Sequence, residues 1–195
     1  PNGWCLGEWS TPHNRIEIPA SLVNTAYFYH VTCIMADVAG ILNKKNDEHH
    51  LRTLAETIRK NFNAAFYNEA THHYGEGKQG ADVFALAFGL VPDGKREKVF
   101  AALLGHLEKV NYHFDTGILA TPLLLQVLTE NGRADLAYKL MNQRDFPSYG
   151  YLADKKNNTL WETWNGDGND EGCGHCHPMF GSVVAWFYHS LAGIK

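Results

Sequence analysis

The stretch VFALAFGLVPDGKREKVFAALLGHLEKV, residues 83–110, contains two helical segments of opposite character. Residues 83–88 are apolar on every side, so a helix formed there has no polar face to turn toward water. Residues 95–110 place Val99, Leu103 and Leu107 at the spacing of one helical face, and charged residues stand at both ends of the segment, at 95–98 and 108–109. We therefore predict a buried helix followed by an amphipathic one, a pattern that indicates two packed layers.

The same alternation continues on both sides of this stretch. An amphipathic segment precedes it at residues 47–66, and segments that are apolar nearly all round follow at residues 118–128 and 179–192. The predicted helices comprise residues 20–42, 47–66, 81–91, 95–110, 118–128, 133–143 and 179–192. We predict an all-α fold in which a buried inner row of helices and an outer row with one solvent-exposed face form an α/α solenoid or toroid. A four-helix bundle would need helices of similar character.

Length and charge limit the classes of protein that this chain can represent. The 195 residues suit one domain, with 45% hydrophobic and 19% charged residues. The net charge of −4 and the lack of a clustered Lys or Arg stripe argue against a nucleic-acid partner. No apolar run has the length of a membrane span. We expect a soluble protein without a membrane partner, and no targeting segment indicates its compartment.

The segment between residues 146 and 178 is long, rich in Gly, Asn and Asp, and contains WETW at residues 161–164. Irregular segments of this length in compact domains are usually functional or wrongly assigned, and the Trp, Glu and His content here favours a functional segment. Indole rings offer flat apolar platforms for the C–H faces of sugars, and they desolvate a neighbouring carboxyl group. A second such pair, Glu8 and Trp9, could face the same cleft, as paired carboxylates do in glycosidases. The alternative is structural: a buried glutamate that caps a loop, with tryptophans as loop anchors.

Cysteines and histidines near the end of the chain raise the question of a metal site. Four cysteines, at positions 5, 33, 173 and 176, are expected to be mostly reduced, with Cys33 as a core thiol. Cys173, His175, Cys176 and His177 offer four zinc ligands, but adjacent residues cannot all point at one tetrahedral centre. We therefore predict no metal and no cofactor. A non-catalytic helical module with a structural zinc remains an alternative hypothesis.

Six short motifs follow one another along the chain. They are GEW at residues 7–9, TGILATP at 116–122, YGY at 149–151, TLWETW at 159–164, FGSV at 180–183 and AGI at 192–194. Together and in this order they resemble the C-terminal part of bacterial α-L-rhamnosidases, whose G-D-W has a side chain one methylene shorter than GEW. The resemblance implies an (α/α)6 toroid and a hydrolase, a glycosidase that removes terminal α-L-rhamnose residues with inversion of configuration.

The resemblance also implies roles for individual residues. Glu162 corresponds to the family's general base, which activates water on the face of the sugar opposite the leaving group. Trp9 and His177 correspond to residues that hold the rhamnose ring. From the local Trp and Glu patterns, Trp161, Trp164 and Glu8 are also predicted to bind substrate. The expected substrates are rhamnose-containing glycosides or polysaccharides.

Seven predicted helices are fewer than the twelve of a complete toroid, and the family's general acid lies upstream of the motifs found here. We therefore expect residues 1–195 to be the C-terminal portion, about half, of one α/α-toroid catalytic domain. Its expected partner is the N-terminal part of the same enzyme, and the isolated portion is expected to expose apolar helices and to self-associate. Another α/α-toroid glycosidase or lyase acting on a different sugar is an alternative, because fold does not determine substrate.

Overall fold

Helices form most of the computed structural model, which describes residues 7–12, 18–155, 159–165 and 174–194. They are α1 Ala20–Ile41, α2 Lys45–Phe66, α3 Gln79–Ala87, α4 Arg96–Lys109, α5 Ala120–Glu130, α6 Ala134–Met141, α7 Tyr149–Asp154, α8 Pro178–Gly181 and α9 Val184–Trp186. A π-helical turn, Phe187–Leu191, continues α9, and the two together are called the terminal helix below. Within the described residues, β-pairing is limited to one isolated bridge between Tyr67 and Tyr74.

The helices pack in two layers, as the alternation of apolar and amphipathic segments predicts. Within each hairpin, α1 packs on α2, α3 on α4 and α5 on α6. Between hairpins, α1 contacts α3, α3 contacts α5, and α5 contacts α9. Hence α1, α3, α5 and α9 form an inner row, and α2, α4 and α6 form an outer row. This is a portion of an α/α toroid.

Burial differs between the two rows in the way that their side chains dictate. Every residue from Gln79 to Leu86 in α3 is buried, whereas α2 buries only Ala55, Ile58 and Phe62. The charged residues of α2 remain in water on its other face. α3 ends where Gly89 adopts a φ of +73°, a conformation that glycine takes without steric cost. The inner row is therefore the core, and the starts of its helices lie close to the candidate site.

Three local predictions differ from the structure. The segment 179–192, predicted as one helix, is divided into α8 and the terminal helix. The segment 146–178, predicted as irregular, contains α7, because the Ser148 hydroxyl oxygen accepts a hydrogen bond from Tyr151 N at 3.0 Å and caps the helix. Cys33 is half-buried on α1 rather than enclosed in the core.

Apolar side chains are exposed mainly at the two ends of the inner row. On α1, Phe28, Val31, Met35, Val38 and Leu42 recur every three or four residues and are all more than 40% exposed. The terminal helix exposes an equivalent stripe, formed by Val184, Phe187, Tyr188 and Leu191. A groove of about 560 Å³ runs beside that stripe, between α5 and the terminal helix. Within the described part of the chain, no helix combines the length and apolarity that crossing a membrane requires.

Candidate active site

The turn that leads into α5, residues 116–120, is the point where the separated Trp and Glu segments meet. Its shape is held by the Thr121 hydroxyl group, which lies 2.6 Å from Gly117 O and 2.7 Å from the Thr116 hydroxyl oxygen. Thr116 and Thr121 are fully buried. A side chain at Gly117 is impossible without rearrangement, because a Cβ atom there would lie 1.8 Å from Trp9 O. The glycine thus permits the close approach of the N-terminal segment.

Glu8 and Trp9 are held against this turn. Glu8 Oε1 accepts hydrogen bonds from Gly117 N at 2.6 Å and from Ala120 N at 3.1 Å, and Trp9 O accepts one from Ile118 N at 2.9 Å. Glu8 is only 1% exposed, and its Oε2 has no hydrogen-bond partner among the described residues. Burial raises the pKa of Glu8 from 4.5 to about 8, although the two backbone donors lower it. This burial does not fit the predicted contact between Glu8 and a sugar.

Trp164 is attached to the same turn from the other side. Its indole Nε1 donates a hydrogen bond to Thr116 O at 2.9 Å, and its ring stacks on Phe114 with centroids 5.2 Å apart. The edges of the ring contact Tyr149 and Phe180, and Trp164 is 1% exposed. Trp164, predicted as a substrate-binding residue, therefore has its surface covered by protein.

Glu162 and His177 lie side by side because two backbone segments pair. Glu162 N donates to Gly174 O at 2.9 Å, and His177 N donates to Leu160 O at 2.9 Å. Gly174 N also donates to Glu162 Oε2 at 2.8 Å. A Cβ atom at Gly174 would lie 3.1 Å from Glu162 Oε2 and 3.7 Å from His177 Cδ2, so the carboxylate and the imidazole both lie beside this glycine. His177 Nδ1 is buried and has no partner among the described residues.

Trp161 adds an aromatic surface beside this pair. Its ring stacks on the imidazole of His175 with centroids 4.0 Å apart and planes within 12°. The Thr159 hydroxyl group donates a hydrogen bond to His175 O, which holds that residue in place. Trp161 and Trp9 are only partly buried, in contrast to Trp164 and Glu8. The predicted binding residues thus divide into an accessible group and a buried group.

Sequence reasoning missed several residues that build the site. Tyr149, cited only for its motif, donates a hydrogen bond from its hydroxyl group to Phe180 O at 2.9 Å, and burial raises its pKa. Gly174 was not singled out, although its N–H contacts the Glu162 carboxylate. The buried residues Thr116 and Thr121 form part of the TGILATP motif, which was the one available signal for them.

A polar cluster lies behind the turn, at the start of α3. Asp82 is fully buried, and its carboxylate contacts His73 Nδ1 at 2.6 Å and Tyr74 N at 2.8 Å. The hydrogen bond to Asp82 raises the pKa of the His73 imidazole. Gln79 joins this end of α3 to the turn, because its Oε1 accepts from Asp115 N at 3.0 Å. These contacts fix the inner-helix starts to one another.

The candidate zinc ligands near the end of the chain lie only partly within the described residues. No group of three or more His, Cys, Asp or Glu suited to a metal ion occurs in the part of the chain that the structure describes. Cys176 is an exposed free thiol, and Cys173 and Cys5 lie outside the described residues.

Indole rings that can pack on the C–H faces of sugars, close to a carboxylate that can act as an acid or a base, are the groups that a helical glycoside hydrolase needs. A sequence profile of the bacterial alpha-L-rhamnosidase 6 hairpin glycosidase domain matches residues 1–191. The chain belongs to this family.

Relatives and solved structures agree with this assignment. The chain is 37% identical over 194 residues to an alpha-L-rhamnosidase of Streptomyces avermitilis and 31% identical over 200 residues to one of Formosa agariphila. These matches cover 96% and 97% of the chain but 18% and 22% of the relatives, so the chain spans about a fifth of their length.

Two solved structures are similar over 96% of this chain. One is the alpha-L-rhamnosidase of Streptomyces avermitilis complexed with L-rhamnose, with 36% identity, a TM-score of 0.88 and 18% of that chain covered. The other is the alpha-L-rhamnosidase of Dictyoglumus thermophilum, with 34% identity, a TM-score of 0.88 and 22% of that chain covered.

Proposed function

We propose that this chain is part of an enzyme that hydrolyses terminal α-L-rhamnosides with inversion of configuration, and that it contributes the general base and part of the sugar pocket. The observation that supports this best is the placement of the Glu162 carboxylate and the His177 imidazole next to each other, both beside Gly174. Membership of the rhamnosidase family supports the substrate class. The alpha-L-rhamnosidase structure from Streptomyces avermitilis, which contains L-rhamnose, is similar to this chain.

In the proposed mechanism Glu162 takes a proton from the water that attacks the anomeric carbon. An inverting enzyme needs room for this water, so its acid and base carboxyl groups stand about 6.5–9.5 Å apart. The hydrogen bond from Gly174 N to Glu162 Oε2 fixes the orientation of the base. We propose that the general acid comes from a part of the enzyme that this chain does not span.

The remaining accessible residues suit a 6-deoxy sugar. Trp161, stacked on His175, offers an apolar platform for the C–H face or the methyl group of rhamnose. The His177 imidazole lies beside the Glu162 carboxylate, and an imidazole ring can hydrogen-bond a sugar hydroxyl group. Trp9 and Trp164 contact the same turn, 116–120, from opposite sides. We therefore propose that Trp9, Trp161 and His177 contact the sugar.

The exposed apolar stripes of α1 and the terminal helix support the proposal of a larger domain. We propose that further helices of the same enzyme cover both stripes, and that a second copy covers them when the chain is isolated. Replacing Val31 and Val38 by lysine should then convert an associating chain into a monomer in sedimentation velocity experiments. An unchanged sedimentation profile would contradict the assignment of the α1 stripe as an interface.

Saturation-transfer NMR of the chain with L-rhamnose, D-mannose and D-glucose tests the substrate class. We expect selective transfer to L-rhamnose that is lost in Trp9→Ala and kept in Tyr138→Ala, which removes an exposed aromatic ring of α6 outside the proposed pocket and outside both apolar stripes. Equal transfer to the three sugars would refute rhamnose selectivity and favour a different toroid glycosidase or lyase.

The reaction itself is tested in a longer protein that contains this chain. Glu162→Gln should reduce hydrolysis of an aryl α-L-rhamnoside by at least about 10²-fold, the size of a general-base contribution. The NMR spectrum of the first sugar released should be that of the inverted anomer. Release of the retained anomer would overturn the assignment of Glu162 as a base.

A further inference from the structure

We infer that Glu8 and Trp164 are positioning residues, which attach the two Trp and Glu segments to the turn 116–120 and thereby set the separation between Trp9 and Glu162. This inference rests on the proposed function for its catalytic meaning. Its structural part, the coupling of the two segments through one turn, stands on contacts within the chain and is tested separately.

On one side of the turn, Glu8 acts as a clamp. Its Oε1 accepts hydrogen bonds from Gly117 N at 2.6 Å and from Ala120 N at 3.1 Å. The backbone oxygen of the next residue, Trp9, accepts a hydrogen bond from Ile118 N. Three successive contacts therefore bind residues 8–9 to the start of α5. Because Trp9 follows Glu8 directly, any change at Glu8 moves the backbone from which the Trp9 ring projects.

On the other side, Trp164 binds the turn through its indole N–H to Thr116 O at 2.9 Å. Glu162 is only two residues away along the chain, so the position of Trp164 restricts that of the carboxylate. The Trp164 ring packs between Phe114, Tyr149 and Phe180, which prevents it from rotating away.

The turn between these two contacts cannot easily change shape. The Thr116 and Thr121 hydroxyl groups bond each other at 2.7 Å inside the core. Gly117 leaves no space for a side chain, because the obstacle is the backbone oxygen of Trp9 rather than a mobile side chain. A displacement on one side of the turn is therefore transmitted to the other side.

Because Glu8 and Trp164 are buried, they can position other residues but cannot contact a sugar themselves. Glu8 and Trp164 are each 1% exposed, and their polar groups are used by the turn, apart from Glu8 Oε2. Trp9 and Trp161 remain partly accessible. The two buried residues thus influence a bound sugar through the residues that they hold.

Hydrogen exchange of the tryptophan indole N–H groups, followed by NMR, tests this coupling in the 195-residue chain. Glu8→Ala should accelerate exchange at Trp164 about tenfold, the equivalent of one lost hydrogen bond, although the two residues belong to different segments. Trp186 is the internal control, because its indole bonds Thr129 near the far end of α5. Glu8→Gln keeps the bridging oxygen and should restore the Trp164 rate to within about twofold of the original.

Equal acceleration at Trp164 and Trp186 would mean a general loss of stability and would overturn the inference, as would an unchanged Trp164 in Glu8→Ala. If Glu8→Ala does not fold, Trp164→Phe replaces it, since this variant keeps an aromatic ring at the position while it removes the indole donor and leaves a small cavity. It should shift the indole resonance of Trp9 and leave that of Trp186 in place. A Trp9 resonance that does not move would overturn the coupling.

L-Rhamnose binding by the same variants then tests the catalytic meaning. We expect Glu8→Ala to weaken saturation transfer to L-rhamnose and Glu8→Gln to restore it, in parallel with the exchange rates. Absence of transfer to the unchanged chain would overturn the proposed function, whereas the indole exchange would still decide whether Glu8 and Trp164 are coupled.

Discussion

Replacement of Glu8 by glutamine should change how the stability of this fold depends on pH. Glu8 is 1% exposed, and burial raises its pKa from 4.5 to about 8. Between these pH values the folded state retains a proton that the unfolded state has released. Since the folded pKa is the higher one, the contribution of Glu8 to stability is fully present below about pH 4.5 and is lost as the pH rises toward 8.

The size of the effect follows from the change in pKa. At about 1.4 kcal/mol per pKa unit, a rise from 4.5 to about 8 corresponds to roughly 5 kcal/mol across the whole window. Relaxation of the folded state lowers such values, so we expect a measured change of about 2–5 kcal/mol, which is large against a total stability of about 5–15 kcal/mol. Glutamine does not titrate, and it keeps the oxygen that accepts from Gly117 N and Ala120 N.

Urea unfolding of the original chain and of Glu8→Gln, between about pH 5 and pH 8, measures this difference. The free energy of unfolding of the original chain should fall relative to that of the variant as the pH rises. Tyr27, whose pKa burial raises to about 12 with a smaller contribution from the Glu8 charge, does not titrate in this range. Glu76→Gln, at an exposed glutamate, is the matched control and should show no such trend.

A difference between the original chain and Glu8→Gln that stays constant from about pH 5 to pH 8 would refute this reasoning. It would mean that Glu8 is already ionised in the folded state at neutral pH.

Three further substitutions test the contacts around the turn. Gly117→Ala should destabilise the fold by at least about 3 kcal/mol, whereas Gly105→Ala, where a Cβ meets nothing within 4 Å, should stabilise it by up to about 1 kcal/mol; equal effects in urea unfolding would contradict the close approach. Trp164→Phe should cost about 2–3 kcal/mol through the lost hydrogen bond and a small cavity, and a neutral result would remove Trp164 from the core. His73→Gln should remove stability that is present below pH 6.5 and is lost above it, since the bond to Asp82 raises the His73 pKa; a pH-independent cost would contradict this pairing.

The two-layer arrangement was predictable because the burial of a helix determines the pattern of apolar and polar residues along it. A helix that is apolar on every side, such as α3, has to be enclosed, and an amphipathic helix such as α2 has to cover it. Helix ends were less predictable. The segment 179–192 is apolar nearly all round, but the structure divides it after Gly181, between Phe180, packed against Trp164, and Trp186, hydrogen-bonded to Thr129. Tertiary contacts of these two aromatic residues compete with local helix propensity.

The residues of the site were predictable in kind but not in placement. Their motifs in the expected order indicated the family, which the profile match over residues 1–191 confirms. No sequence pattern separated Trp161 from Trp164, although one indole is partly accessible and the other is 1% exposed. The difference arises from Phe114 and Thr116, which lie about fifty residues earlier in the chain and contact Trp164.

By itself the sequence determined the helical class, the order of the two rows and the family, because these depend on periodic burial and on short motifs read along the chain. Only the tertiary structure decided that buried Glu8 hydrogen-bonds the turn before α5, and that Glu162 and His177 both lie beside Gly174. Such contacts join residues that are more than a hundred positions apart in the case of Glu8 and Gly117. Hydrogen bonds of this kind depend on packing distances, and local sequence carries no information about them.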